Sequence, residues 1–269
     1  IGMVSRLITL SIALCLALLT GAAAAEDMDD CKQGAATFAL KGCTSWLARE
    51  KEPDARAIAF HRRGYVYEIV GEYNRSLLDF NQAIELNPNN ADWYIDRALL
   101  YFLKEDFGAA LADGNRAVAM EPSRAAYQAR GFISYYSRDF ANAAADLARV
   151  LEMQPDDPNS VIHRYLARAR LGEDAAPEFR ANAERLTDRG FRFAAVGLYL
   201  ETVSPDALIA QDDAEAGCQS RYYIGALSLL QDKPDEAAPW FRQAAELCGE
   251  VSGRWWWVAA RAELKGLGR

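Results

Sequence analysis

The chain has 269 residues, 51% of them hydrophobic, with 38 acidic against 30 basic side chains and a net charge of −8. That content supports one long core or two short ones and excludes a disordered chain. The acidic balance, with no basic stripe, repels phosphate backbones, so no nucleic-acid partner is expected.

Residues 1–25 read as a cleaved secretory signal. A basic stretch from Met3 to Arg6 precedes an apolar run from Leu7 to Thr20, and Ala23 and Ala25 form an A-x-A site. Fourteen residues reach only about 21 Å as a helix, short of a bilayer core. Cleavage after Ala25 removes Arg6 and moves the net charge to about −9. It leaves an exported, soluble periplasmic chain with no transmembrane anchor. Cys31, Cys43, Cys218 and Cys248 then remain, an even count that suits disulfides in an oxidising compartment. Cys31 and Cys43 lie in a leader of helices, 26–56. An unbroken helix would hold them about 18 Å apart, so they pair only if the chain turns between them, at Gly34.

From residue 57 the chain repeats. Phe60-His61-Arg62-Arg63-Gly64-Tyr65-Val66-Tyr67 aligns with Tyr94-Ile95-Asp96-Arg97-Ala98-Leu99-Leu100-Tyr101 at an offset of 34, and Ala83 and Pro88 with Ala117 and Pro122. A third copy runs from Tyr127 through Gly131 and Leu147 to Pro155. This period, with an aromatic and a small residue in a first helix and an alanine and a proline in a second, resembles the tetratricopeptide (TPR) repeat. The repeats fall at 57–90, 91–123 and 124–157, within a 57–157 block. The expected fold is all-α, a right-handed TPR solenoid of antiparallel helix hairpins with an irregular C-terminal part and a capping helix. A degenerate repeat and connecting helices fill 158–217, with helices over Pro177–Arg189, Phe191–Glu201 and 205–216. A last repeat plus the capping helix occupies 218–269. Cys218 begins its first helix and Cys248 ends its second; those ends of a hairpin are neighbours, and a disulfide is predicted there.

Each clear repeat carries an Arg and an Asp sixteen residues apart: Arg63 and Asp79, Arg97 and Asp113, Arg130 and Asp146. That spacing joins the middles of two helices in one hairpin, which predicts structural ion pairs rather than a row of ligand-binding arginines. In TPR proteins the first helices line the inner face. Carried over, the partner-binding groove comprises Tyr65, Glu68, Leu99, Phe102, Phe132 and Tyr135, with His61, Ile95 and Gln128 beside them. The rival reading packs these side chains against the next repeat. The set lacks the Lys/Asn pattern of a carboxylate clamp and suits a segment with hydrophobic anchors.

Trp255, Trp256 and Trp257 span about 200° of a helix, so at least one is expected to be exposed. A cap, a dimer interface and a glycan-stacking platform all remain open for them. Catalysis has no motif to rest on: there is no G-x-S-x-G, P-loop or H-E-x-x-H, and the two histidines, His61 and His163, lie far apart. No enzyme, no metal site and no cofactor are expected.

The runs Tyr165–Asp174, Gly197–Glu201 with Ser204–Leu208, and Cys218–Gly225 with Ala260–Leu264 resemble, in order and spacing, the NlpI-like group of bacterial envelope TPR proteins. The resemblance implies a homodimeric, protein-binding scaffold that docks envelope enzymes, a periplasmic PDZ protease or peptidoglycan hydrolases. An A-x-A site stands where that group has a lipid-anchored cysteine. A glycan- or small-ligand-binding module using the tryptophans is the alternative.

Overall fold

A computed structural model of the chain describes residues 28–31, 35–187, 190–210, 216–249 and 254–269. The signal segment 1–25 and Gly34, where a turn is expected, lie outside the described residues. Fourteen helices and no strand occur among the described residues, beyond a helical turn at 28–31. They are α1 (Ala36–Arg49), α2 (Pro53–Ile69), α3 (Tyr73–Leu86), α4 (Ala91–Leu103), α5 (Phe107–Met120), α6 (Arg124–Tyr136) and α7 (Phe140–Met153). The C-terminal half contributes α8 (Pro158–Arg170), α9 (Ala176–Ala183), α10 (Phe191–Tyr199), α11 (Pro205–Ile209), α12 (Ala216–Leu230), α13 (Pro234–Gly249) and α14 (Arg254–Gly266).

The pairs α2–α3, α4–α5, α6–α7 and α12–α13 fall where the repeat predicted them, and the fold is an all-α TPR-type solenoid of paired helices. Each second helix buries one stripe. In α3 this is Ser76, Asp79, Phe80, Ala83 and Ile84, the three-and-four spacing of a helix that faces a core on one side. Proline sets the boundaries. Pro53, Pro158 and Pro205 open helices, where the missing N–H is not needed. Pro88, Pro122 and Pro155 follow the ends of α3, α5 and α7.

The turns inside the hairpins share one device, a residue in the left-handed region: Gly71 (φ 80°), Glu105 (φ 60°), Arg138 (φ 68°) and Asp232 (φ 57°). Only the first is glycine, so three of these turns hold a conformation that disfavours a side chain. Asp106 and Asp139 then cap the next helix, accepting from the backbone N–H of Ala109 and Asn142. Small residues at the centre of the first helix permit close approach. A Cβ on Gly64 would stand 2.7 Å from the Phe80 ring, and one on Gly225 2.9 Å from the Phe241 ring.

The chain divides after Asp96 into two compact units. In the first, Cys31, Cys43, Trp46, Leu47 and Ala59 form a small core, closed by the Cys31–Cys43 disulfide with Cα atoms 4.6 Å apart. The helix does not run through: Ala35 is extended, and α1 starts after it. In the second unit a large core runs from Ala98 to Ala260, and a Cys218–Cys248 disulfide ties the start of α12 to the end of α13. Three elements are shorter than expected. The helix placed at Pro177–Arg189 ends at Ala183, that at Phe191–Glu201 at Tyr199, and that at 205–216 at Ile209.

Candidate functional site

In the first unit, α2 presents an open face. Ile58, Tyr65 and Ile69 are 41, 52 and 62% exposed, at spacings of seven and four that align them on one side of the helix. They border an open cleft of about 660 Å³, whose walls also include Ala36 and Ala39 of α1 and Trp93 of α4. His61, Arg62 and Asp96 supply its polar groups. His61 is held on three sides: its ring stacks on Phe80 and Trp93, each at 5.4 Å, and its Nε2 lies 2.6 Å from Asp96 Oδ2. Two turns beyond, burial raises the Glu68 carboxyl to about 7, and the nearby Asp96 charge pushes the same way.

In the second unit the corresponding first-helix face is covered, and the cover is α14. Phe102 and Tyr135 are 0 and 1% exposed. They were expected to line an open groove; they do not, because α14 fills it. Leu99 and Phe132 are partly buried against the same core. Of the six residues expected in one groove, Tyr65 alone lines the open cleft. Glu68 is half-buried on the same helix, and the other four belong to the second unit.

The tryptophans explain the cover. Trp255 stacks on Phe102 with ring centroids 4.1 Å apart. Trp256 packs against Tyr222 and Tyr223, each at 5.2 Å. The guanidinium of Arg261 sits over Trp257 at 4.5 Å. None of the three is exposed. The expectation that one would be assumed a helix with a single covered side, whereas α14 has neighbours on several. Each of the three indoles is thus engaged by groups of the chain itself. Between the layers, His163 is buried. Its Nδ1 donates to the Asn159 carbonyl at 2.8 Å, and its Nε2 accepts from the Tyr136 hydroxyl at 2.9 Å. Burial pushes it down to about 4, so the imidazole is neutral. Nothing in the repeat pattern marked His163; only its position on a first helix hinted at an inward side chain.

The three Arg–Asp pairs are two-pronged. Arg63 Nε and Nη2 donate to Asp79 at 2.7 and 2.8 Å, Arg97 repeats this with Asp113 at the same distances, and Arg130 reaches Asp146 at 2.7 and 2.7 Å. Hydrogen bonding to the carboxylate raises Arg63 and Arg130 further above their ordinary range. Both prongs of these arginines face inward to their own hairpin, which makes them seams between helices. Among the described residues no group of three or more His, Cys, Asp or Glu could hold a metal, and no helix is long and apolar enough to cross a membrane.

Residues 57–90 match the family model of the tetratricopeptide repeat. Among solved structures the chain is similar to a tetratricopeptide repeat protein from Parabacteroides merdae ATCC 43184, at 16% identity, over 93% of this chain and 98% of that one, with a TM-score of 0.61. It is also similar to PilW, a widely conserved type IV pilus biogenesis factor, at 14% identity, over 93% and 99%, with a TM-score of 0.53. At these identities the likeness is one of fold. TPR folds generally act as non-catalytic protein-binding scaffolds.

Proposed function

We propose that this chain is a protein-binding adaptor of the bacterial envelope, which docks an enzyme such as a periplasmic PDZ protease or a peptidoglycan hydrolase. The observation that carries the binding reading is the stripe Ile58, Tyr65 and Ile69, exposed beside a cleft with a rigid polar floor. An exposed aromatic and two aliphatics in line are costly to leave in water and suit a partner segment with hydrophobic anchors. His61, clamped between two rings and Asp96, offers a fixed polar contact that sets the guest's register. Export is supported by the signal-like pattern of residues 1–25 and by two disulfides, which persist in oxidising compartments. The choice of envelope enzymes as partners rests on the NlpI-like runs at 165–267 alone; likeness to PilW, at 14% identity, adds the fold and no partner.

The test is affinity capture with residues 26–269 as bait, read by mass spectrometry, beside a bait carrying Tyr65→Ala and Ile69→Asp. Both side chains are exposed, so the variant keeps the fold. Enrichment of a PDZ protease or murein hydrolase by the first bait, reduced at least tenfold with the second, supports the adaptor and its face. Equal capture by both baits removes this face from the reading, and capture of neither enzyme removes the envelope-enzyme role.

A further inference from the structure

A helix that only caps a stack needs to cover the helix before it, here α13. The last helix of this chain does much more. Trp255 reaches Phe102 on α4 and meets Phe132 and Tyr136 of α6 edge-on at 6.0 and 6.1 Å. Trp256 reaches α12 and, at 6.3 Å, His163 of α8. Two turns further on, the buried Glu263 accepts from Arg170 Nη2 of α8 at 3.1 Å and from the Tyr135 hydroxyl of α6 at 3.2 Å. Beyond it, the Arg138 guanidinium lies over Gly266. In one helix of thirteen residues, α14 thus engages the first helices of four hairpins.

These are the features of a guest helix in a groove: aromatic anchors at one end, one buried charge at the other, and polar residues on the outer side. Arg254, Arg261 and Lys265 are exposed. A helix this short is marginal alone in water, so its order comes from the surface that receives it. The carboxylate sets the register. A buried charge is tolerated only where partners meet it, and one placement of α14 brings Glu263 to both Arg170 and Tyr135.

We propose that α14 is a tethered ligand. The first-helix face of the second unit is a helix-binding groove, held by the chain's own C-terminal helix. It accepts, once that helix is displaced, a partner helix carrying two adjacent aromatic anchors and a carboxylate two turns on. This rests on the protein-binding reading but on a different face from the one that carries it. Tethering gives α14 a local concentration on the order of millimolar, so it gates the groove against weak guests.

Native-state hydrogen exchange on the full chain tests separability. The amides of α14 are expected to exchange through an opening that leaves α6 and α12 protected; exchange of all three only together overturns the proposal. The second measurement titrates a labelled peptide of residues 254–269 onto the full chain and onto a full chain with Trp255→Ala and Glu263→Gln in its own helix. At least tenfold tighter binding to the variant is expected, lost when the peptide carries the same two changes. Equal binding to both chains, with the variant's circular dichroism native, overturns it. Should the variant not fold, the exchange result on the wild-type chain decides. Tyr65→Ala with Ile69→Asp leaves peptide binding unchanged, so the two readings fail separately.

Discussion

Asp146 shows what a single residue does in this fold. It is 4% exposed, and both of its oxygens are taken by Arg130. The pair adds less than its geometry suggests, because two ions lost hydration to form it, but each partner alone would be stranded. Asp146→Ala is therefore expected to cost about 2–3 kcal/mol, discounted because Arg130 keeps some contact with water. Arg130→Met with Asp146→Leu is expected to cost less than Asp146→Ala alone. Urea unfolding of Arg130→Met, Asp146→Leu and the double closes the cycle, and additive losses would mean that the pair is ordinary surface charge. The same logic holds for Asp79 and Asp113, which makes the ladder a property of the repeat.

At the scale of elements, the hairpin is the unit, and the last one is tied at its open end. In the chain-entropy model, Cys218–Cys248 spans thirty residues and contributes nearly 4 kcal/mol, whereas Cys31–Cys43 spans twelve and contributes about 3. Replacing both cysteines of the first pair by alanine is thus expected to lower the unfolding free energy by about 2–4 kcal/mol, and of the second by somewhat less. Chemical denaturation of the two double variants measures the order. The reverse order would point to enthalpic terms in the leader that loop length does not describe. The hairpin turns carry a smaller lesson. Glu105, Arg138 and Asp232 take a glycine's conformation because the flanking helices, once packed, dictate the angle between them.

Across the whole molecule, two titratable groups with opposite pH dependence oppose one another. Glu68, in the first unit, has a folded pKa of about 7 against an ordinary value of 4.5. Between these values the folded chain holds more protons than the unfolded one, so this contribution to stability falls as pH rises from about 4.5 to 7. His163, in the second unit, stays neutral down to about 4, whereas an unfolded histidine charges below about 6.5. Its unit therefore loses stability as pH falls through that window, by about 3 kcal/mol at the acid end. Urea midpoints from pH 4 to 8 separate the two. The gain of Glu68→Gln over wild type is expected to widen from pH 5 to 8, and the deficit of His163→Gln to narrow from pH 6.5 to 4. Parallel profiles for wild type and variants would assign the pH dependence elsewhere.

How much of this was legible beforehand follows from what repeats. The 34-residue period, the glycines under Phe80 and Phe241, the Arg–Asp spacing and the prolines at helix ends are local signals. Each works within one hairpin, so the paired helices of the clear repeats, the ion-pair seams and the Cys218–Cys248 bridge were readable from the residues alone. The open stripe on α2 was half legible, with Tyr65 named and Ile58 and Ile69 missed, because exposure depends on which neighbours arrive. A capping helix was expected, and so was a rival reading in which the first-helix side chains pack inside the stack; which surface Trp255, Trp256 and Trp257 would meet was not legible. Trp255 meets Phe102 and Glu263 meets Tyr135 across more than a hundred positions, and no period encodes where such a helix will lie. That α14 lies along the first helices was settled by tertiary packing, because its apolar face takes the apolar surface those helices leave open.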